Sequence, residues 1–151
     1  MDFFPPPPDT GIELPTVQQL KELYDLQPHP EGGFYAETYE SEATVIARHG
    51  HRSALTVIYF LLANEDVSRM HRLQADETWH FHLGGALTIV ELDLESPGHA
   101  RTTQLGPDVL HGQQLQHVIK VNEEKRACGC AIQWTGFDSA CRIHATHECA
   151  L

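Results

Sequence analysis

Residues 78 to 94, TWHFHLGGALTIVELDL, constrain the fold more than any other stretch of the chain. Two arms rich in strand-forming residues flank Gly84-Gly85. A glycine pair in that setting marks a tight antiparallel β-hairpin, because its turn positions need backbone angles that a Cβ disfavours. An amphipathic hairpin must bury its apolar face against a further layer. Side chains alternate along a strand, so Glu77, Trp79 and Phe81 share one face and Thr78, His80 and His82 the other.

The rest of the chain is read around that hairpin. Residues 1 to 13 form an extended, proline-rich lead, since Pro5 to Pro8 favour polyproline II and cannot seed a helix. Thr16 with Gln19 three residues on has the form of a capping box, and Val17, Leu20, Leu23 and Tyr24 recur at helical spacing. The spacing predicts one helix over 17–25, closed before Pro28. Strand signals then take over at 34–40, within 43–52, which holds a candidate strand and then a polar turn, and at 55–62. The last is a continuous apolar run, the mark of a strand covered on both faces. Short strands follow the hairpin near 101–105, 115–121 and 127–134. One short N-terminal helix and about eight short strands predict an all-β sandwich or barrel of jelly-roll type.

The length of 151 residues and 41% hydrophobic content fit one folded domain, taken as residues 14–151. A formal charge of −11 with scattered basic residues argues against nucleic acid. No apolar run reaches the roughly 18 residues of a membrane span. No signal peptide is visible, so the four cysteines are expected reduced and the protein cytoplasmic.

The segments PHPEGGFYAETYES (28–41), RSALTVIYFLL (52–62), Ser68 with His71-Arg72, DETWHFHLGG (76–85) and GCAIQWTGFD (129–138) together resemble the DUF985, or cupin-5, family. His71, the acid Glu77 six residues on and Gly84 seven beyond it are similar to the first cupin motif. The resemblance implies a double-stranded β-helix, a homodimer and kinship with sugar-nucleotide epimerases and seed-storage cupins. Two departures stand out. The first motif lacks the His-x-His pair of metal-binding cupins. After QHVI (116–119) the family's V-P-x-G-x-W-Q-like segment is replaced by KVNEEKRACGC, and the tail 139–151 diverges from relatives.

His71 arrives from a strand ahead of the turn LQAD and is expected beside Glu77 inside the roll. A carboxylate in a low-dielectric pocket and a histidine can exchange protons near neutral pH, so both are the candidate catalytic residues. Phe34, Tyr35, Tyr59 and Trp79 are the candidate ligand-binding residues, with apolar walls and two hydroxyls. The structural alternatives are a His–Glu bond that orients the hairpin and a satisfied core tyrosine. His80 and His82 stand about 6.6 Å apart at roughly 3.3 Å per residue, wide for ligands of one metal. Cys128, Cys130, Cys141, His144, His147 and Cys149 invite a zinc reading, but Cys128-Gly-Cys130 lacks the usual C-x₂₋₄-C spacing. No metal ligand set and no cofactor are therefore expected. No G-x-S-x-G elbow or HExxH is present.

Three functions remain open on these residues. One is a metal-independent isomerase or epimerase acting on a carbohydrate-like or carbonyl substrate. The second is a cupin that holds a small-molecule ligand without turnover. The third is a metal-dependent oxidoreductase. The altered segment after Ile119 adds an inactive copy as a further reading.

Overall fold

In the computed structural model, residues 14–47, 50–63, 66–72, 75–93, 99–120, 128–134 and 143–149 are described, with backbone alone at 47, 72, 93, 128–134 and 143–149. The Pro-rich lead, Cys141 and the replaced segment at 121–127 lie outside the described residues.

Thr16 opens the helix as its sequence requires. The Gln19 N–H donates to the Thr16 hydroxyl at 3.2 Å, and the Thr16 N–H donates to the Gln19 side-chain oxygen at 2.8 Å. Helix α1 runs Val17–Leu23, shorter than the expected 17–25. Tyr24 leaves helical geometry at φ −107°, and Asp25 turns left-handed at φ 49° well before Pro28 is reached.

Twelve strands are described: β1 (Gln27–Pro28), β2 (Phe34–Glu40), β3 (Thr44–Ala47), β4 (Gly50–Ser53), β5 (Thr56–Leu61), β6 (Ser68–Arg72), β7 (Asp76–Leu83), β8 (Leu87–Asp93), β9 (Ala100–Leu105), β10 (Gln116–Ile119), β11 (Cys128–Trp134) and β12 (Ile143–Cys149). The larger sheet has the order β1-β2-β5-β12-β7-β10, the smaller one β6-β11-β8-β9, and β3 pairs with β4 as a hairpin. Every pairing between these strands is antiparallel. This is the β-sandwich form of a jelly roll, with one short helix.

Two expectations need correction. The arms around Gly84-Gly85 do not pair as a hairpin: β7 pairs with β12 and β10, β8 with β11 and β9. Gly84, at φ 98°, instead carries the chain from one sheet to the other. Side chains of both arms then meet between the layers rather than side by side. The other concerns the strand count, to which the tail adds. Ile143–Cys149 is an interior strand between β5 and β7, with a register shift against β7 between Ile143 and His144. Its sequence, IHATHEC, has few strand-forming residues, so its place comes from two neighbouring ladders rather than from propensity.

The core lies between the sheets. Phe60, Leu62, Trp79 and Ile119 from the larger sheet pack on Leu87, Ile89 and Leu105 from the smaller. A second cluster lies on the outer side of the larger sheet, where Leu20 and Val17 of α1 and Leu26 meet Leu61, Phe34, Tyr59 and Leu83. Strand β5 thus alternates between two apolar layers, Phe60 inward and Tyr59 and Leu61 toward the helix, as its unbroken apolar run requires.

Candidate functional site

The inner surface of the roll changes character along its length. Leaving the Gly84-Gly85 crossing, β7 presents Phe81, Trp79 and then Glu77, while β8 presents Leu87, Ile89 and then Glu91. Both strands pass from apolar to carboxylate away from the crossing, which gives the interior one apolar end and one polar end. Glu77 is 6% exposed and Trp79 2%. On β10, Ile119 stands opposite Glu77 and His117 opposite Trp79. His117 Nε2 reaches across the layers to Glu91 Oε2 at 3.0 Å, and each side chain is 14% exposed.

His71 joins the same end by register. Cys130 of β11 pairs with His71 on one side and with Glu91 on the other, so His71 and Glu91 share one cross-strand row. Their backbones stand about 10 Å apart along it at the usual strand spacing.

The loop PHPEGG closes on this row. The Gly32 N–H donates to the His29 carbonyl at 3.0 Å, and the His29 N–H donates to the Gly33 carbonyl at 2.9 Å. Gly32 sits at φ 117°, where a Cβ would lie 2.2 Å from the Val67 carbonyl oxygen. Only glycine permits that approach. The Arg69 N–H then donates to the Glu31 carbonyl at 2.8 Å, and the Arg69 guanidinium donates to the Pro30 carbonyl. The Glu31 carboxylate consequently comes 3.1 Å from His71 Nδ1, which also lies 2.8 Å from the Arg69 carbonyl. His29 accepts the Glu31 N–H on Nδ1 at 3.2 Å and packs edge-on against Tyr35 and Phe60, with centroids 4.8 and 4.9 Å away. Burial, and then the nearby His71, hold His29 below the ordinary histidine value of 6.5.

The candidate residues named from the sequence divide between two faces. His71, Glu77, Tyr35 and Trp79 belong to the inner side. Phe34 and Tyr59 do not: both lie in the cluster under α1, on the opposite side of the larger sheet. The ring of Tyr59 meets Tyr24 at 4.9 Å and His82 at 5.9 Å, and the Lys21 ammonium sits 3.4 Å from the centre of the Phe34 ring. Strand parity explains the split, since Tyr35 pairs with Phe60 while Phe34 pairs with Leu61 and Ala36 with Tyr59. Glu37, two residues after Tyr35, stands at a register shift and is exposed. His82 takes the outer face of β7, as alternation required.

Three groups escaped sequence reading: Glu31, His29 and the His117–Glu91 pair. PHPEGG was visible as a signature, but nothing local to it indicates contact with a histidine forty residues on. For His117, strand alternation places it level with Ile119, a usable signal of an inward side chain.

General cupins carry a metal, held by histidine and carboxylate side chains. The Nδ1 atoms of His29 and His71 are engaged with protein groups, an arrangement that leaves their Nε2 atoms as the nitrogens a ligand would meet. Among the described residues no three His, Cys, Asp or Glu side chains are grouped to hold a cation. The zinc reading of the tail concerns side chains outside the described residues. No helix among the described residues is long and apolar enough to cross a membrane.

Comparison with known proteins bears on the same fold. No curated protein matches the chain. A hypothetical protein from Leishmania major superposes with a TM-score of 0.78 at 27% identity, over 89% of this chain and 81% of that one. A Shewanella oneidensis protein solved by structural genomics gives a TM-score of 0.76 at 30% identity, over 91% of this chain and 79% of that one. The model of the family described as "Cupin superfamily (DUF985)" matches residues 18–135, a span that holds PHPEGG, the His71 strand and the Glu77 strand alike. With most of its length matched, the chain belongs to the DUF985 family of the cupin superfamily.

Proposed function

We propose that the polar end of the roll binds a small, hydroxyl-rich or carbonyl-bearing molecule and that His71 and Glu77 exchange protons with it, as in an isomerase or epimerase. One observation carries the reading. By strand alternation the two inner strand faces turn from apolar to carboxylate at the same end, where Glu77 is 6% exposed, and the His71 imidazole, held by Glu31, shares a cross-strand row with Glu91 of that end. Burying a carboxylate is costly, and buried acids at the polar end of an enclosed fold are a common source of proton-transfer groups, which supports this reading. The balance of the reaction is simple. One of the two groups takes the proton from a carbon next to a carbonyl, the C–H electrons move into an enediolate, and a proton returns to carbon on the other face or the neighbouring atom. No oxidant or metal enters that scheme. In this reading Trp79 and Tyr35, which belong to the inner apolar cluster, are the wall offered to the carbon skeleton. The same end serves a cupin that only holds its ligand, and the test separates the two.

The test begins with a thermal-shift screen of neutral sugars, nucleotide sugars and small carbonyl acids. A stabilising compound is then incubated with protein in D₂O, and deuterium on its carbon atoms is read by NMR. Exchange lost in both His71→Ala and Glu77→Gln supports the roles given. Exchange untouched by either substitution rejects them. Binding with no exchange in the wild-type protein reduces the function to ligand holding.

A further inference from the structure

We propose that Glu31 is a positioning residue that locks the imidazole proton of His71 on Nδ1 and so makes Nε2 its basic nitrogen; the purpose of this lock rests on the proton-exchange reading above. Nδ1 of His71 faces two oxygens, the Arg69 carbonyl at 2.8 Å and the Glu31 carboxylate at 3.1 Å. Neither can donate when Glu31 is ionised, so a lone pair on Nδ1 would be repelled by both. The proton therefore stays on Nδ1 in the neutral ring, and every protonation change occurs at Nε2. A carboxylate behind an imidazole orients the ring and stabilises its charged form.

The carboxylate is itself held in place. Gly32 sits against the Val67 carbonyl at an angle only glycine adopts, the Arg69 N–H holds the Glu31 carbonyl, and the Arg69 guanidinium holds Pro30. These contacts tie PHPEGG to the strand that carries His71. His29, two residues before Glu31, has the opposite arrangement. Its Nδ1 accepts the Glu31 N–H, so its neutral ring carries the proton on Nε2. Two neighbouring histidines with opposite tautomers are a signature that a generic surface histidine would not give.

The experiment is long-range ¹H–¹⁵N correlation NMR on the ligand-free, ¹⁵N-labelled full chain, at a pH where both rings are neutral. The expected result is a protonated Nδ1 and bare Nε2 for His71, with the reverse for His29. In Glu31→Ala only the Arg69 carbonyl is left to hold the Nδ1 proton, so the Nε2–H tautomer of His71 should rise to a measurable fraction, while Glu31→Gln, whose amide oxygen accepts at the same place, should keep the wild-type pattern. The exposed Asp108–His111 pair, with Nδ1 2.7 Å from the carboxylate, serves as an internal control of folding. Protonated Nε2 on His71 in the wild type, or an Ala variant with an unmixed Nδ1–H tautomer, would overturn the proposal. Because no ligand is present, this outcome is independent of turnover. If deuterium exchange into a ligand is found, Glu31→Ala should slow it about 10²-fold, as misplaced reacting groups do, and Glu31→Gln should restore most of it.

Discussion

His117 of β10 and Glu91 of β8 meet at 3.0 Å across the two sheets, a histidine–carboxylate contact that joins the facing layers of the roll. Each side chain is only 14% exposed, so little water reaches either if its partner is removed. Replacing one member alone leaves a polar group stranded between the layers, at a cost of about 2 kcal/mol. His117→Leu and Glu91→Leu should each lower the urea midpoint accordingly. The double substitution, which removes both polar groups, should recover part of the loss. Single variants with the wild-type midpoint would show that the two side chains do not depend on each other in solution.

Gly32 places Glu31. At φ 117° with the Val67 carbonyl oxygen 2.2 Å from the position of a Cβ, alanine cannot enter without moving the loop. Gly32→Ala should destabilise the protein by about 2 kcal/mol or more. It should also shift the backbone resonances of Arg69 and His71, which the loop contacts. A variant with unchanged stability and unchanged His71 signals would contradict the described docking of PHPEGG.

Much of this arrangement was legible in the residues because it is local. The Thr16–Gln19 cap, the two-sided burial of β5 and the inward run of Glu77, Trp79 and Phe81 follow from spacing alone. What was missed depends on partners remote in sequence. Gly84-Gly85 announces a reversal but not whether its arms pair with each other or with other strands. Ile143–Cys149 is a strand because β5 and β7 each offer it a ladder, a fact absent from its own composition. Phe34 and Tyr35 are adjacent and equally aromatic, and only the register with β5 decides which one faces inward. Glu31 meets His71 through a loop-to-strand contact that no periodicity encodes.

The state of His29 makes stability depend on pH. Its folded-state value lies below the ordinary 6.5, with burial the main cause and His71 the second. The unfolded chain therefore binds more protons than the folded one between those two values, so stability rises with pH through that window. The contribution is fully present above about pH 7.5 and is lost as pH falls through 6.5 toward the folded value. Urea midpoints should decline from pH 7.5 to pH 5. His29→Asn can still accept the Glu31 N–H but does not titrate, so it should flatten this part of the slope whatever it does to absolute stability. An unchanged slope in the variant would remove His29 as its origin.

The two aromatic layers should separate in function as they do in space. Trp79 is 2% exposed, packs edge-on against Phe60 at 5.5 Å and stands on the strand face that leads to Glu77. Trp79→Leu should cost about 2–4 kcal/mol as a core truncation and should also weaken any compound found by the thermal-shift screen. Tyr59 packs under α1 against Tyr24, behind the sheet. Tyr59→Leu should loosen the helix, seen as faster amide exchange at Leu20 and Tyr24, whose N–H groups bond to Thr16 and Leu20. It should leave ligand affinity within about twofold, a change of roughly 0.4 kcal/mol. If Tyr59→Leu abolishes binding while Trp79→Leu spares it, the ligand sits on the helix side of the larger sheet and the inner polar end is not its site.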